Sequence, residues 1–470
     1  MSATATTEKK YLKWYQKLAY GSGDLASNCS YGLVSSFVLL YLTGTLGLDS
    51  AIIGSLMLAS KILDGISDVI FGTLIDRTHS KLGKARPWML FGQVGVSLCL
   101  FLLFAIPAGS TTMQYIYFFI VYTALNAVFY TANGIAYSSL VALITKNNNE
   151  RVQLGSFRFM FAVVTNIFMG FAVTGMVEKF GSGAAGWRTT ALIFAIVGLV
   201  VNTISCLAVK ELPEEELSGN TSKAAEEGKA VADEKKHGFA ETAKILVHNK
   251  YYLMILAIYI VYYIMSNLTT GAGVFCATYY WGDGSLLGQF SMMKMFPVII
   301  ALAIAPVLIK KTGSMQKVNF WGYAISSVLG IPMIYFAMQK NLSMFLLFMF
   351  IKGVFAGTLS GSLNALIAEA SGYTTRTTGV HMDGMMYSCS SLGVKVGGGI
   401  GTAAVGWLLK LGGFVGTATV QSESAIRMIF NLYITFPFVI GIIITVLLAF
   451  LDVEKANKKW DAEHQKEAQA

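Results

Sequence analysis

Two carboxylates separated by one helical turn, Asp64 and Asp68, lie inside an apolar segment that is long enough to cross a membrane. The segment reads ASKILDGISDVIFGTLID over residues 59–76, and the i to i+4 spacing places both carboxylates on one helix face. A carboxylate at the bilayer centre costs about 2.5–3.5 kcal/mol, and two adjacent carboxylates also repel each other. At neutral pH the pair needs a shared proton, a bound cation or a basic partner such as Lys61. The pair therefore predicts cation-coupled transport, and a purely structural pairing with Lys61 is the alternative.

Other ionisable residues inside apolar segments are functional candidates for the same reason. Asp24 and Arg158 belong to the first half of the chain, although Asp24 has a helix-capping role as its alternative. Lys294 is expected near a membrane surface, where its amine reaches water. Lys395 stands in SSLGVKVGGGIGTAAVGWLL, with no neighbouring carboxylate in its own span. We therefore expect its partner on another helix, and the first-half aspartates are the natural candidates.

Polar and aromatic residues at mid-span depth suit a sugar, whose hydroxyls need hydrogen bonds and whose ring face stacks on aromatic side chains. These residues are Asn126, Thr131, Asn133, Tyr137, Tyr262, Tyr263, Asn267 and Asn364. Each is a weak indicator, because buried Asn and Tyr side chains commonly bridge helices. The five histidines form no HExxH pattern and no phosphate-binding GxxxxGK[ST] occurs. We expect a protein that is not an enzyme, without cofactor or resident metal.

Composition places the chain in the membrane. It has 470 residues, of which 54% are hydrophobic and 13% charged, whereas a soluble domain carries about 25% charged residues. The net charge of +9 would also suit nucleic acid, but the basic residues lie in loops between apolar spans, which is the positive-inside pattern. We therefore expect the lipid bilayer and not nucleic acid as a partner.

Apolar windows of about 20 residues predict twelve spans in two groups of six. The predicted spans are 22–46, 51–76, 87–107, 113–144, 156–178 and 187–209, then 250–280, 286–310, 317–338, 343–370, 381–410 and 425–451. The fold class is thus an all-α polytopic membrane protein with 12 transmembrane helices in two six-helix halves. The predicted domains are 1–209, a cytoplasmic interdomain loop at 210–249, a second bundle at 250–451 and a tail at 452–470.

Lysine and arginine placement predicts the orientation. The N-terminus, the loops at 77–86, 145–151 and 310–317, the central loop and the C-terminus are basic, whereas 44–51 and 107–113 contain neither residue. Because cytoplasmic loops carry the excess of these residues, both termini are expected to be cytoplasmic. The expected location is the cell (inner) membrane.

Two six-helix halves joined by a polar loop resemble the layout of the major facilitator superfamily. Four strings resemble its glycoside–pentoside–hexuronide:cation symporters, the branch of the melibiose and glucuronide permeases. They are YGSGDLASN (20–28), KILDGISDVIFGTLIDRTHSKLGKARPW (61–88), SFRFMFA (156–162) and GVHMDGMMYSCSSLGVKVGGGIG (379–401). The resemblance covers nearly the whole chain, and the second and fourth strings are the most specific.

The resemblance implies cation binding by Asp64 and Asp68, with Thr131 on the fourth helix as a possible additional ligand. It implies sugar contacts by Asp24 and Arg158. A sugar or glycoside and a co-transported Na⁺ or H⁺ are accordingly the expected partners.

The resemblance also implies that Lys395 is a linking charge near both sites. The chain departs from the melibiose-type pattern at Gly134, beside Asn133, where that branch has an acidic residue. It departs again at His381, where many relatives carry arginine. A pentoside, a hexuronide or another glycoside is therefore expected as the substrate at least as much as a galactoside. The further expected substrate contacts are Asn133, Tyr137, His381 and Lys395.

The string that runs from Gly72 through Asp76 and Arg77 to Lys84 and Arg86 resembles the superfamily's loop motif between helices 2 and 3. We interpret the last four of these residues as a cytoplasmic gate that stabilises the outward-open state. A simple positive-inside role is the alternative.

These features predict a secondary active symporter that imports a sugar or glycoside with Na⁺ or H⁺ by alternating access. Three alternatives remain open at this point: a lysolipid symporter, a proton-driven exporter of the same fold, and a sugar sensor that binds without transporting.

Overall fold

The computed structural model describes residues 9–213, 245–379, 383–418 and 420–467, and the regular elements in these residues are helical. The long helices of the first half are Trp14–Thr45 (α1), Ser50–Asp76 (α2), Arg86–Leu103 (α3), Thr111–Ile144 (α4), Asn148–Lys179 (α5) and Gly183–Leu207 (α6). Those of the second half are Lys250–Tyr280 (α7), Leu286–Thr312 (α8), Met315–Met338 (α9), Leu342–Thr378 (α10), Met386–Leu411 (α11), the consecutive segments Glu423–Phe430, Asn431–Thr435 and Phe436–Phe450 (α12), and Val453–Glu467 (α13).

Eleven helices in the described residues are long and apolar enough to cross a membrane. Helix α2 is not among the eleven, and it carries Lys61, Asp64, Asp68 and Asp76. Its 27 residues nevertheless give it a length of about 40 Å, more than the ~30 Å hydrocarbon core. With α2 included, the predicted all-α fold with twelve spans is confirmed.

Three helices extend well beyond the predicted spans. The first span was expected from residue 22, but α1 begins at Trp14. The fifth span was expected from residue 156, but α5 begins at Asn148, where the Asn147 side chain accepts a hydrogen bond from the Glu150 amide. The tenth was expected to end at 370, but α10 continues to Thr378 and ends at Gly379 with φ 70°. An apolar window detects only the part of a helix inside the hydrocarbon core, so the polar ends of long helices escape it.

The chain divides into two compact units. The first comprises Met1–Gly228 and Val415–Thr419, and the second comprises Lys229–Phe414 and Val420–Ala470. Helices α1–α6 belong to the first unit and α7–α13 to the second. Most of the predicted interdomain loop, 210–249, lies outside the described residues, so its boundaries stay a prediction.

Close packing in the first unit places two of the candidate residues side by side. Helix α1 packs against α5, and a Cβ atom added at Gly21 would lie 2.6 Å from the Phe157 Cβ. Only glycine permits this approach. Asp24 follows Gly21 by one turn and Arg158 follows Phe157 directly, so the glycine contact brings the carboxylate and the guanidinium together.

π-Helical segments interrupt several of the helices. The segment Ala124–Tyr130 in α4 comes immediately before Thr131, and the segment Gly393–Gly397 in α11 contains Lys395. Such segments are rare and occur frequently at functional sites, because the extra residue rotates the side chains that follow it. No sequence pattern predicted them here.

Candidate functional site

Asp64 makes the central contacts of the first unit. Asp64 is buried, with only 8% of its surface exposed, and its Oδ1 accepts a 2.6 Å hydrogen bond from the Thr131 hydroxyl. Its Oδ2 lies 3.5 Å from the Lys61 ammonium nitrogen. The structure therefore joins three of the residues that were singled out in the sequence, from α2 and α4, around one carboxylate.

The backbone of α4 determines where the Thr131 hydroxyl lies. This hydroxyl is also 2.9 Å from the carbonyl oxygen of Asn126, five residues earlier, which is the spacing of the π-helical turn. A single hydroxyl proton serves one acceptor at a time. When a cation occupies the Asp64 side, the hydroxyl can therefore donate to the Asn126 carbonyl and present its lone pairs as a ligand.

Asp68 lies one turn after Asp64 on the same face of α2 and is half-buried. Between them the Ser67 hydroxyl donates to the Asp64 backbone carbonyl at 2.9 Å, so it stabilises its own helix. On the other side of Asp64, the Lys61 ammonium lies 5.9 Å from the centre of the Tyr31 ring. The site thus combines carboxylate and hydroxyl oxygens, which suit a hard cation and also a proton, with an internal ammonium as a competitor.

Asp24 and Arg158 form an ion pair between α1 and α5. The Arg158 Nε donates to the Asp24 Oδ2 at 2.6 Å, and both side chains retain partial exposure, 24% and 17%. The capping role that was the alternative for Asp24 is not observed, because no side-chain cap hydrogen bond is found at the start of the segment Gly23–Leu40. A partly exposed carboxylate beside a guanidinium offers acceptors and donors together, which is what a polyhydroxyl ligand needs.

Tyr137 supports this ion pair from α4. The Arg158 guanidinium carbon lies 4.1 Å from the centre of the Tyr137 ring, which is a cation–π contact. The Tyr137 hydroxyl donates to the Tyr20 carbonyl at 2.7 Å, and the Tyr20 hydroxyl donates in return to the Tyr137 carbonyl. Tyr137 is buried and its ring supports the Arg158 guanidinium, whereas its predicted substrate contact stays a prediction.

Two amides extend the polar patch and were not selected from the sequence. The Asn166 amide on α5 donates to the Asn28 side-chain oxygen at 2.9 Å, and the Asn28 amide donates to the Asp24 carbonyl at 2.7 Å. Asn28 is the last residue of the string YGSGDLASN and follows Asp24 by one helical turn, and this spacing could have indicated that both lie on one face. Asn166 follows Arg158 by two turns, so its spacing carried the same information.

Asn133 occupies a different position from the one predicted for a substrate contact. Its amide donates to the Met89 carbonyl at 2.8 Å and lies 3.4 Å from the Gln93 side-chain oxygen, both on α3. The residue is buried against Gly92, where α3 and α4 meet. These contacts are those of a helix-bridging amide, so the substrate role of Asn133 gains no support from them.

The predicted cytoplasmic-gate residues differ in burial. Asp76 and Arg77 are exposed at the end of α2, whereas Lys84 is half-buried and Arg86 is buried. The Arg86 guanidinium donates to the backbone carbonyls of Cys206 and Leu82, at 3.2 and 3.3 Å. Arg86 therefore ties its own loop to the end of α6.

Glu211 organises this loop and was not selected from the sequence. Its carboxylate accepts hydrogen bonds from the backbone amides of Lys84, Ala85 and Arg86, at 2.7–3.1 Å, and so caps the start of α3. Gly83 has φ 110°, and a Cβ atom there would collide with the Glu211 carboxylate. The turn therefore requires glycine at position 83.

Two further predicted site residues are Lys395, which belongs to the second unit, and His381, whose position the structure does not describe. Lys395 is half-buried within the π-helical segment of α11. His381 lies outside the described residues, so its substrate role stays a prediction. The predicted link between Lys395 and the carboxylates of α2 joins the two units and also stays a prediction.

Comparisons with known proteins extend over nearly the whole chain. Residues 19–455 match the model of a family described as MFS/sugar transport protein. The chain is 26% identical over 466 residues to an isoprimeverose transporter of Lactiplantibacillus pentosus, with 98% of this chain and 93% of the relative covered. It is 23% identical over 444 residues to the putative glycoside/cation symporter YagG of Escherichia coli (strain K12), with 94% and 92% covered.

A solved structure has a similar fold. A bacterial homolog of the human lysosomal transporter Spinster, in an inward-facing and unoccupied conformation, matches with a TM-score of 0.66 at 13% identity. The match covers 95% of this chain and 97% of that chain.

Proposed function

Since the chain belongs to the MFS/sugar transport protein family, and within it to the glycoside–pentoside–hexuronide:cation symporters, we propose that it imports a sugar or glycoside together with Na⁺ or H⁺. The predicted major facilitator fold is confirmed by the same family match and by the structural likeness. The names of the two relatives, an isoprimeverose transporter and a putative glycoside/cation symporter, support a saccharide as the substrate.

The observation that carries the proposal is the environment of Asp64. Its carboxylate is buried, 2.6 Å from the Thr131 hydroxyl and 3.5 Å from the Lys61 ammonium. Asp68 follows one turn later, so two carboxylates lie close together on one face of α2, beside the Lys61 ammonium. Binding of a monovalent cation or a proton relieves the repulsion between the two carboxylates, and this relief is the coupling event that we propose.

The Asp24–Arg158 ion pair is proposed as the sugar site. Sugar hydroxyls donate to the Asp24 carboxylate and accept from the guanidinium, which Tyr137 holds in place from its ring face. Because the ion pair and the Asp64 cluster share α4, through Tyr137 and Thr131 respectively, a shift of this helix reaches both sites. Linkage then requires that the sugar tighten cation binding by the factor by which the cation tightens sugar binding.

The orientation that we propose has both termini in the cytoplasm of a cell whose plasma membrane the chain spans. The support is the distribution of lysine and arginine among the loops. In this orientation the loop after α2, with Asp76 and Lys84, faces the cytoplasm, which is where a gate for the outward-open state has to lie.

The test is accumulation of a labelled substrate in proteoliposomes. Asp64→Asn and Asp68→Asn are expected to abolish accumulation against a gradient, because each removes one of the two negative charges. Ser67→Ala is the matched control, since the hydroxyl that it removes bonds to the backbone of its own helix and lies between the two carboxylates. If Asp64→Asn accumulates substrate as the control does, the assignment of the coupling site is wrong.

A further inference from the structure

A cavity of about 180 Å³ lies inside the second unit, among α7, α8, α9, α10 and α12. Two lysines, Lys294 of α8 and Lys352 of α10, line it together with hydroxyl-bearing and apolar side chains. From the sequence, the Lys294 amine was expected to reach water at a membrane surface. The structure instead directs it to threonines of the neighbouring helix.

The Lys294 amine finds hydrogen-bond acceptors but no negative charge. It lies 3.3 Å from the Thr269 hydroxyl and 3.1 Å from the Thr270 hydroxyl. These hydroxyls donate their own protons to backbone carbonyls of α7, among them that of Ser266, so they act as acceptors towards the lysine. Neutral acceptors solvate an ammonium only partly, and its charge remains uncompensated.

Carboxylates of the second unit do not compensate either lysine. The cavity lining includes no Asp or Glu, and no carboxylate of the described residues forms an ion pair with Lys294 or Lys352. The described carboxylates of this unit bond elsewhere: Asp283 to the Ser285 amide, Glu369 to Asn457, Glu423 to Arg427, Asp452 to Lys250, Glu454 to the start of α9, Asp461 to Arg376 and Glu463 to Lys459.

Close packing of α8 against α10 keeps the two lysines at one helix crossing. A Cβ atom at Gly353 would lie 2.8 Å from the Pro297 Cβ and 3.6 Å from the Met293 carbonyl oxygen. Met293 precedes Lys294 and Gly353 follows Lys352 in the chain. The two helices thus approach each other closely beside the two lysines, and both lysines line the one cavity.

Unused hydrogen-bond donors surround the same cavity. Tyr323, Ser326 and Tyr433 line it and are only 1%, 3% and 8% exposed. No hydrogen bond joins any of these hydroxyls to another described residue, and their oxygens are open to the cavity. They are therefore available to a ligand that accepts hydrogen bonds.

We propose that this cavity is a binding site for an oxyanion, held by the Lys294 and Lys352 ammonium groups and by the surrounding hydroxyls. Charge-assisted hydrogen bonds from both lysines to the oxyanion compensate two ammonium charges that have no carboxylate partner among the described residues of this unit. The anionic group has two sources, a free inorganic anion or the acidic group of a solute. The second source rests on the proposed transport of saccharides and would make the acid form of a sugar a ligand of this unit.

The test is equilibrium binding to the purified full-length protein, in the absence of any ion gradient. Sulfate serves as the free anion, and D-glucuronate and D-glucose serve as a sugar pair that differs in the carboxylate. We expect sulfate or D-glucuronate to bind and D-glucose to show no competition with sulfate. Lys294→Met and Lys352→Met are each expected to weaken anion binding by tenfold or more, while Lys294→Arg keeps it within a few fold.

Lys340→Met is the matched control, because this lysine is exposed, belongs to the same unit and stacks on the Tyr280 ring outside the cavity. Sulfate binding without competition by D-glucuronate assigns the site to a free anion, and mutual competition assigns it to the acidic group of a solute. Absence of anion binding to the wild-type protein, or binding that survives both Met substitutions together, overturns the proposal. Either result leaves the α2 carboxylates and their accumulation assay unaffected, so this failure is distinguishable from failure of the symport proposal.

Discussion

Replacement of Lys61 by methionine is the perturbation that most directly probes the electrostatics of the α2 site. Methionine keeps much of the length of the side chain and removes the ammonium that lies 3.5 Å from the Asp64 carboxylate. In the proposed mechanism this ammonium competes with the transported cation for the same charge. The substitution is therefore expected to tighten cation binding, and the direction is the same for Na⁺ and for H⁺.

The magnitude follows from the separation of the charges. At 3.5 Å a unit pair interacts by about 1.2 kcal/mol with the dielectric constant of water and by about 4.7 kcal/mol at an effective value of 20. Both side chains are largely buried, at 18% and 12% exposure, so the interaction energy calculated with the dielectric constant of water is a lower bound. A gain of about 1.2 kcal/mol corresponds to roughly sevenfold tighter cation binding.

The assay is the cation dependence of substrate uptake in proteoliposomes. For Na⁺ coupling, the half-saturating sodium concentration of Lys61→Met falls at least about sevenfold. For H⁺ coupling, the pH of half-maximal uptake rises by about 0.9 unit or more. Lys61→Arg is the matched control, because it keeps the positive charge. An unchanged or weaker cation dependence in Lys61→Met, with protein that still binds substrate, would refute the competition between Lys61 and the cation.

Three further predictions concern the ion pair and the loop after α2. Arg158→Lys loses the 2.6 Å contact of Nε with Asp24 and the planar contact with the Tyr137 ring. Equilibrium substrate binding should therefore weaken about tenfold or more. An unchanged substrate affinity would show that the ion pair is not part of the sugar site. Gly83→Ala forces a side chain onto φ 110° and into the capping carboxylate, so the purified protein should lose its monodisperse state at a temperature several degrees lower. Gly175→Ala, whose added carbon meets nothing within 4 Å, is its control and should change little. Asp76→Ala should alter the transport rate more than substrate affinity, and an unchanged turnover would contradict a gating role.

Charged residues in apolar segments were the most informative part of the sequence. The i to i+4 spacing of Asp64 and Asp68 needed only helix geometry, and the structure keeps both on one face of α2. The contact of Thr131 with Asp64 was anticipated by family resemblance alone, because it depends on a π-helical turn that has no sequence signature. Hydropathy predicted that α4 exists but carried no information on the rotation of its second half.

Contacts between distant segments account for what sequence reasoning missed. Glu211 caps a helix that begins 125 residues earlier in the chain, and nothing near Glu211 indicates this partner. Asn133 and Tyr137 stand four residues apart on α4, yet the Asn133 amide bonds to α3 whereas the Tyr137 ring contacts Arg158. Residue type alone predicted a sugar contact for both, and only the packing of the neighbouring helices separates their roles.

The two lysines of the second unit show the same limit. Lys294 and Lys352 occur on different helices with no charged neighbour in the apolar sequence around either of them. Their common cavity depends on the close approach of α8 and α10 at Gly353. A glycine in an apolar span predicts some close contact but does not identify the helix that makes it.

Charge movement in proteoliposomes tests the central claim most directly. A panel of uncharged glycosides and pentosides, with hexuronides supplied as their methyl esters so that the substrate itself carries no charge, is added with and without sodium, at two pH values, to the wild-type protein and to Asp64→Asn. Symport predicts an inward current for one substrate class that depends on sodium or on pH and is absent in Asp64→Asn. Substrate binding by the folded wild-type protein without any cation-dependent current, or an equal current in Asp64→Asn, would contradict it.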